Sequence, residues 1–167
     1  IAIWRCYKSS RFSEDIDVYL PSQSDAINDF FEKLVKTGFV VVRKKISKKS
    51  VFSTLRFERT TVRFEVIFKK VECFLGDYET TDGNLITIYT LKPEDLIKEK
   101  ISAYINRYKI RDLYDIFYLL KHAKKRALVE KDLRRLVMKY KKPLDEQDLR
   151  ILIIEGLVPD SEKMLSY

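Results

Sequence analysis

Three stretches in quick succession, FVVVRKKI, SVFSTLRFE and TVRFEVIF, crowd β-branched and aromatic residues into positions 39–68. Such residues fit a pleated, half-buried surface, so three strands are expected there. In the third stretch Val62, Phe64, Val66 and Phe68 fall on one face and Arg63, Glu65 and Ile67 on the other, because successive strand side chains alternate. Glu65 is therefore an acid on a strand otherwise suited to burial.

Upstream, RFSEDIDVYL reads as an opening strand that carries Asp15 and Asp17 on one face and Ile16, Val18 and Leu20 on the other. Two like charges side by side on a strand face repel. They are tolerated either at a solvent-facing edge, where charges guard against sheet-to-sheet pairing, or around a cation. If TVRFEVIF lies alongside, Glu65 joins them, and three all-oxygen carboxylates suit Mg²⁺ or Mn²⁺ and not zinc. Between these strands, Ile27, Phe30, Phe31, Leu34 and Val35 recur at helical spacing, with Gly38 as the stop. After them LGDYETTDGNL reads as a loop and ITIYT as a further strand.

At Lys92 the texture changes. Pro93 fits a first helical turn and PEDL places acids at its positive end. Helices are expected over 93–108, 112–125, 130–141 and 145–155. Residues 96–142 hold 15 Lys and Arg against 5 Asp and Glu, although the whole chain carries only +8. That block is either a solvated set of helix faces or a surface for a polyanion. Two cysteines and one histidine give no zinc spacing and no disulfide framework, which points to a reducing cytoplasm. No apolar run approaches the roughly 18 residues that a membrane span needs. The chain opens on isoleucine, so an upstream piece is expected.

Two features of the helical half bear on chemistry. On a helix from Pro93, Lys100 has Leu96 and Ile97 one turn before it and Ala103 and Tyr104 one turn after, so it is placed to point inward toward the sheet. The alternative, a stem laid over apolar surface with the ammonium reaching water, explains many such lysines, but the inward placement fits Lys100 better. Lys98 faces Glu94 and Asp95. In RDLYD, Asp112 and Asp115 imitate a capping box at a helix start. Arg107 and Arg111 either pair with these aspartates or contact phosphate. Tyr104, Tyr108, Tyr114 and Tyr118 follow helical spacing and are expected in the core, and His122 has no evident ligand partner.

RFSEDIDVYL, the embedded acid of TVRFEVIF and LKPEDLIKEKISAYINRYKIRDLYDIFYLL together resemble the AbiEii/AbiGii-type, MenT-like toxin nucleotidyltransferases of the polymerase-β-like nucleotidyltransferase superfamily. The resemblance implies an α+β fold: a mixed β-sheet flanked by helices and followed by a C-terminal helical bundle. The nucleotidyltransferase core would span 1–91, with its N-terminal part missing, and the helical domain 92–167. The family's Gly-rich turn would stand just before IAIWRCY. The implied activity is transfer of a nucleotide from an NTP to a hydroxyl, plausibly on RNA such as tRNA, in a toxin–antitoxin or phage-defence system with an antitoxin as partner. The family's metal ligands map onto Asp15, Asp17 and Glu65, its functional lysine onto Lys100, and its RDxxD acid onto Asp112, all five as catalytic residues. Ser13, Lys100, Arg107 and Asp115 are the implied nucleotide contacts. Two other readings stay open: a degenerate fold that only binds RNA or protein, and a transferase acting on a small antibiotic, which the basic block disfavours.

Overall fold

The computed structural model describes residues 1–167. The chain forms two compact units, one of Ile1 with Ser13–Glu72 and one of Ala2–Phe12 with Cys73–Tyr167. A single helical turn, α1 (Ala2–Arg5), precedes the first strand, β1 (Ile16–Leu20).

In the first unit β1 is followed by α2 (Ala26–Lys36), β2 (Val40–Ile46), β3 (Ser50–Phe57) and β4 (Thr60–Phe68). The sheet order is β1-β4-β3-β2, with β1 parallel to β4 and the other pairs antiparallel. Hairpin turns link β2 to β3 and β3 to β4, as three closely spaced strands require. β1 and β4 are parallel and need a longer crossover, which α2 and the β2–β3 hairpin supply. The α2 helix buries Ile27 and Phe31 against Val51, Leu55 and Val66, with Leu34 and Phe39 at the margin. Gly38, at φ 97°, ends the helix in a conformation that glycine adopts at no steric cost. The opening strand is shorter than expected: it starts at Ile16, and Asp15 lies just before it.

The second unit begins with residues 2–12 and continues with β5 (Phe74–Glu79) and β6 (Leu85–Thr90), an antiparallel hairpin. Here the loop expected over LGDYETTDGNL is corrected, since its first half is strand β5. The turn is only the TTDGN portion, where Gly83 takes φ 81° and the Thr80 hydroxyl donates to Asp82 Oδ1 at 2.6 Å. Glycine and acids lowered the apparent strand character of a segment whose pairing with β6 decides its conformation.

The helices are α3 (Pro93–Arg107), α4 (Ile110–Leu120), α5 (Glu130–Met138), α6 (Leu149–Leu152) and α7 (Ser161–Leu165). Their core centres on Ile97, Ile101, Tyr104, Ile110, Leu113, Ile116 and Leu119. Tyr104 and Tyr114 are buried and Tyr108 and Tyr118 pack against them, as their spacing implies. Three helix bounds differ from expectation. α4 starts two residues earlier and stops at Leu120, α5 stops at Met138, and the 145–155 segment is a short 3₁₀ turn followed by one α-helical turn. Residues 2–12 are fastened to this unit. The Tyr118 hydroxyl contacts the Tyr7 and Lys8 carbonyls at 2.8 and 2.7 Å, and the Ile154 N–H donates to Ser10 at 2.8 Å. No helix is long and apolar enough to cross a membrane.

Gly76 sits in β5 where an added Cβ would lie 2.9 Å from Thr90 Cγ2, a short branched side chain with little freedom to move. Gly76→Ala is expected to destabilise the protein by about 1–3 kcal/mol through overpacking, measured as a lower midpoint in chemical denaturation. Gly83→Asn, in an open turn, is expected to cost clearly less.

Candidate active site

In the first unit the parallel register sets Asp17 of β1 directly beside Glu65 of β4. Both lie on the sheet face opposite α2, since Val66 and its alternate neighbours occupy the buried face. Glu65 is half-buried, and burial first and then Asp17 push its carboxyl above the usual glutamate range; Arg63 opposes them, and Asp15 adds a lesser push. Asp15 is held by Arg63 through both carboxylate oxygens, with Arg63 Nε donating to Oδ1 at 2.8 Å. Ser13 lies two residues before Asp15, partly buried. The three acids expected to act together are therefore neighbours, but Arg63 draws Asp15 aside. No three His, Cys, Asp or Glu side chains converge into a cage for a metal ion. Mg²⁺ needs no such cage, because it commonly uses one or two carboxylates with waters and substrate phosphates. The Asp17–Glu65 pair is of that chemical type, and the effect of Asp17 on the Glu65 carboxyl, second to burial, is the part of the raised pKa that a cation would relieve.

The second unit holds a ladder of charges between α3, α4 and the segment before β1. Asp115, fully buried, accepts from Arg11 Nε at 2.6 Å and Nη2 at 2.9 Å, and from Lys100 Nζ at 2.8 Å. Asp112, also fully buried, accepts from Arg107 Nε and Nη2, both at 2.7 Å, with Lys100 Nζ at 3.9 Å. Burial opposes ionisation of Asp115, but Lys100 and Arg11 outweigh it and hold the carboxyl below the usual aspartate range. Lys100 does point inward, yet toward the α4 aspartates and not toward a sheet. Three cations face two carboxylates, so the ladder keeps one surplus positive charge. The Lys100 side chain is one-quarter exposed. An ammonium has three donors, so Lys100 can still meet an anion from solvent. Lys98 lies outside this group, 3.7 Å from Asp95 at the surface.

The capping-box expectation for RDLYD is overturned. The helix starts at Ile110 with Lys109 as N-cap, which places Asp112 inside the first turn. The free N–H of Ile110 is satisfied instead by Asp145 Oδ1 at 2.9 Å, from 35 residues away. Of the two arginines considered, Arg107 takes Asp112, while Asp115 is met by Arg11 and Lys100. Sequence reasoning assigned no role to Arg11 or Arg63. The signal for Arg11 was its place at the head of RFSEDID, and for Arg63 its shared strand face with Glu65. His122 stacks near Tyr118, with ring centroids 5.1 Å apart, and makes no metal-like cluster.

A mixed sheet with helices and a pair of carboxylates on its open face is consistent with the nucleotidyltransferase fold. The chain belongs to the AbiEii family, nucleotidyl transferase toxins of type IV toxin–antitoxin systems, whose model matches residues 1–163. No curated protein matches the sequence.

Asp115 generates a test of the buried ladder. Its folded pKa is depressed, so the stability it contributes is present above the unfolded value of about 3.9 and is lost as pH falls through the folded one. Asp115→Asn strands Arg11 and Lys100 and should cost about 3–5 kcal/mol at neutral pH. Denaturation midpoints measured down to pH 2 should fall less steeply in Asp115→Asn than in the wild type.

Proposed function

We propose that the protein is a metal-dependent nucleotidyltransferase that moves a nucleotide from an NTP to a hydroxyl on RNA, such as tRNA, as the toxin of a toxin–antitoxin pair. The observation that carries this reading is the Asp17–Glu65 pair held side by side by the β1–β4 register. Family membership supports it independently. In this reaction the acceptor oxygen forms a bond to the α-phosphorus as the bond to the pyrophosphate oxygen breaks. The hydroxyl proton passes to a base, a role for which Glu65, with its raised pKa, is suited. Asp15, Asp17 and Glu65 would hold Mg²⁺ or Mn²⁺, which supplies Lewis-acid activation of the phosphate and the acceptor. For Asp15 this requires release of Arg63.

Lys100 stabilises the negative charge that builds on the departing pyrophosphate, and the ladder's surplus positive charge supports that role. Asp112 and Asp115 hold Lys100 extended, and Arg107 is held by Asp112 with its side chain partly exposed. Ser13 lies close in sequence to Asp15 and is assigned to nucleotide binding. The carboxylates fall in the core assigned to 1–91, and Lys100 and Asp112 in the helical region 92–167. An acidic antitoxin is the expected partner, because residues 96–142 remain net positive. A binding-only reading is favoured by one observation, the closed Arg63–Asp15 pair.

Incubation with each labelled NTP, Mg²⁺ and bulk RNA tests the proposal. Asp17→Ala should abolish transfer while thermal stability holds or rises, since one of two mutually repelling acids is removed. Transfer that survives in Asp17→Ala would refute the carboxylate assignment.

Lys100→Ala should cut transfer by roughly 2.7–4 kcal/mol of transition-state stabilisation. It should also lower the melting temperature, because Asp115 loses a partner. Lys98→Ala should alter neither. Equal losses in the two variants would show that neither lysine has a specific role.

A further inference from the structure

The exposed face of the four-stranded sheet carries an ordered chemistry from edge to edge. One row runs Lys45, Phe52, Glu65 and Asp17, each the register partner of the next across β2, β3, β4 and β1. In the adjacent row Arg43 faces Thr54, which faces Arg63. Strands lie about 4.8 Å apart, so a cation, an aromatic ring and the acid pair follow one another within about 15 Å. Phe52 points away from the α2 core, is half-buried, and has Arg43 Cζ 5.6 Å from its ring centroid.

The surrounding charge is one-sided. Residues 33–57 contain eight Lys and Arg and no Asp or Glu. Edge strands often carry lysines that block sheet-to-sheet pairing, but that role does not account for an aromatic ring among the cations; Lys33 and Lys36 on α2, and Lys44 beside Phe31, belong to the other side of the sheet. The helical block differs. Seven of its fifteen cations, Lys98, Lys100, Arg107, Lys109, Arg134, Arg135 and Lys142, already have carboxylate partners, so part of its charge is used within the fold.

We propose that this sheet face is the platform for a single RNA strand. Arg43 and Lys45 contact its phosphates, a base stacks on Phe52, and the terminal hydroxyl points toward Glu65 and Asp17. Flat rings among cations are what unpaired bases on a polyanionic backbone require, whereas a duplex hides its base faces. The position of the hydroxyl rests on the transferase reading; the binding of the strand does not.

The test is fluorescence anisotropy with a labelled single-stranded RNA of about 20 nucleotides, without NTP or divalent ions. Phe52→Leu should weaken binding about 5- to 150-fold, the loss of one stacked base, and Phe52→Tyr should retain it. Arg43→Gln with Lys45→Gln should reduce the salt slope by about 1.4, two phosphate contacts on a single strand. Lys98→Gln with Lys124→Gln, on the helical side, should change little. Because Phe52→Leu could disturb the sheet, Phe52→Trp gives a second readout, quenching of its fluorescence as RNA is added. No binding by the wild type, wild-type affinity in Phe52→Leu, no quenching in Phe52→Trp, or a larger loss from the helical pair each overturns the proposal. So does equal sensitivity of blunt duplex RNA to Phe52→Leu, or loss of anionic-vesicle binding with RNA affinity intact. If the wild type shows no transfer yet strand binding follows these expectations, the transferase reading fails and the platform stands.

Discussion

Asp115 is the residue on which the helical unit depends. A carboxylate with no exposed surface is costly unless its charge is met, and Arg11 and Lys100 meet it with three short hydrogen bonds. Arg11 comes from the segment before β1, Lys100 from α3 and Asp115 from α4, so one buried charge fixes three pieces of chain in register. Asp112 and Arg107 extend the same ladder. Apolar contact alone would allow α3 and α4 to slide by a turn. The charges do not, because a displaced carboxylate would be buried without a partner.

The sheet unit solves a different problem by backbone pairing. The β1–β4 register sets Asp17 beside Glu65, and an offset of β1 by one residue would turn Asp17 to the buried face and part the two acids. Their mutual repulsion is part of the site's character and adds to burial, the larger cause, in raising the Glu65 pKa. Arg63 relieves that repulsion on the Asp15 side. The open face thus contains one neutralised acid and one unneutralised acid pair, a polarity that a cation or a phosphate ligand can use.

Local sequence accounted well for elements that local forces decide. The strands of residues 39–68 formed where β-branched and aromatic residues cluster, and α2 and α3 followed their apolar periodicity, Gly38 and Pro93. It failed where the deciding partner is distant. LGDYE became a strand because β6 pairs with it. The RDLYD helix began before Asp112 because Asp145 supplies the cap that Asp112 was expected to supply. A capping box and a buried ion pair can share one spacing, and spacing alone does not distinguish them.

By itself the sequence determined the succession of elements, the shared face of Arg63, Glu65 and Ile67, the inward phase of Lys100 and the family motifs that assign the chain to its class. These follow from periodicities of two and 3.6 residues, which are local properties of the backbone. Only the tertiary structure decided which charges meet: Arg11 with Asp115, Arg107 with Asp112, Arg63 with Asp15, and Lys45 and Phe52 in line with Glu65 and Asp17. Those partners are separated by up to 104 residues. No local preference specifies pairing over such distances; it follows from strand register, helix packing and the cost of burying a charge alone.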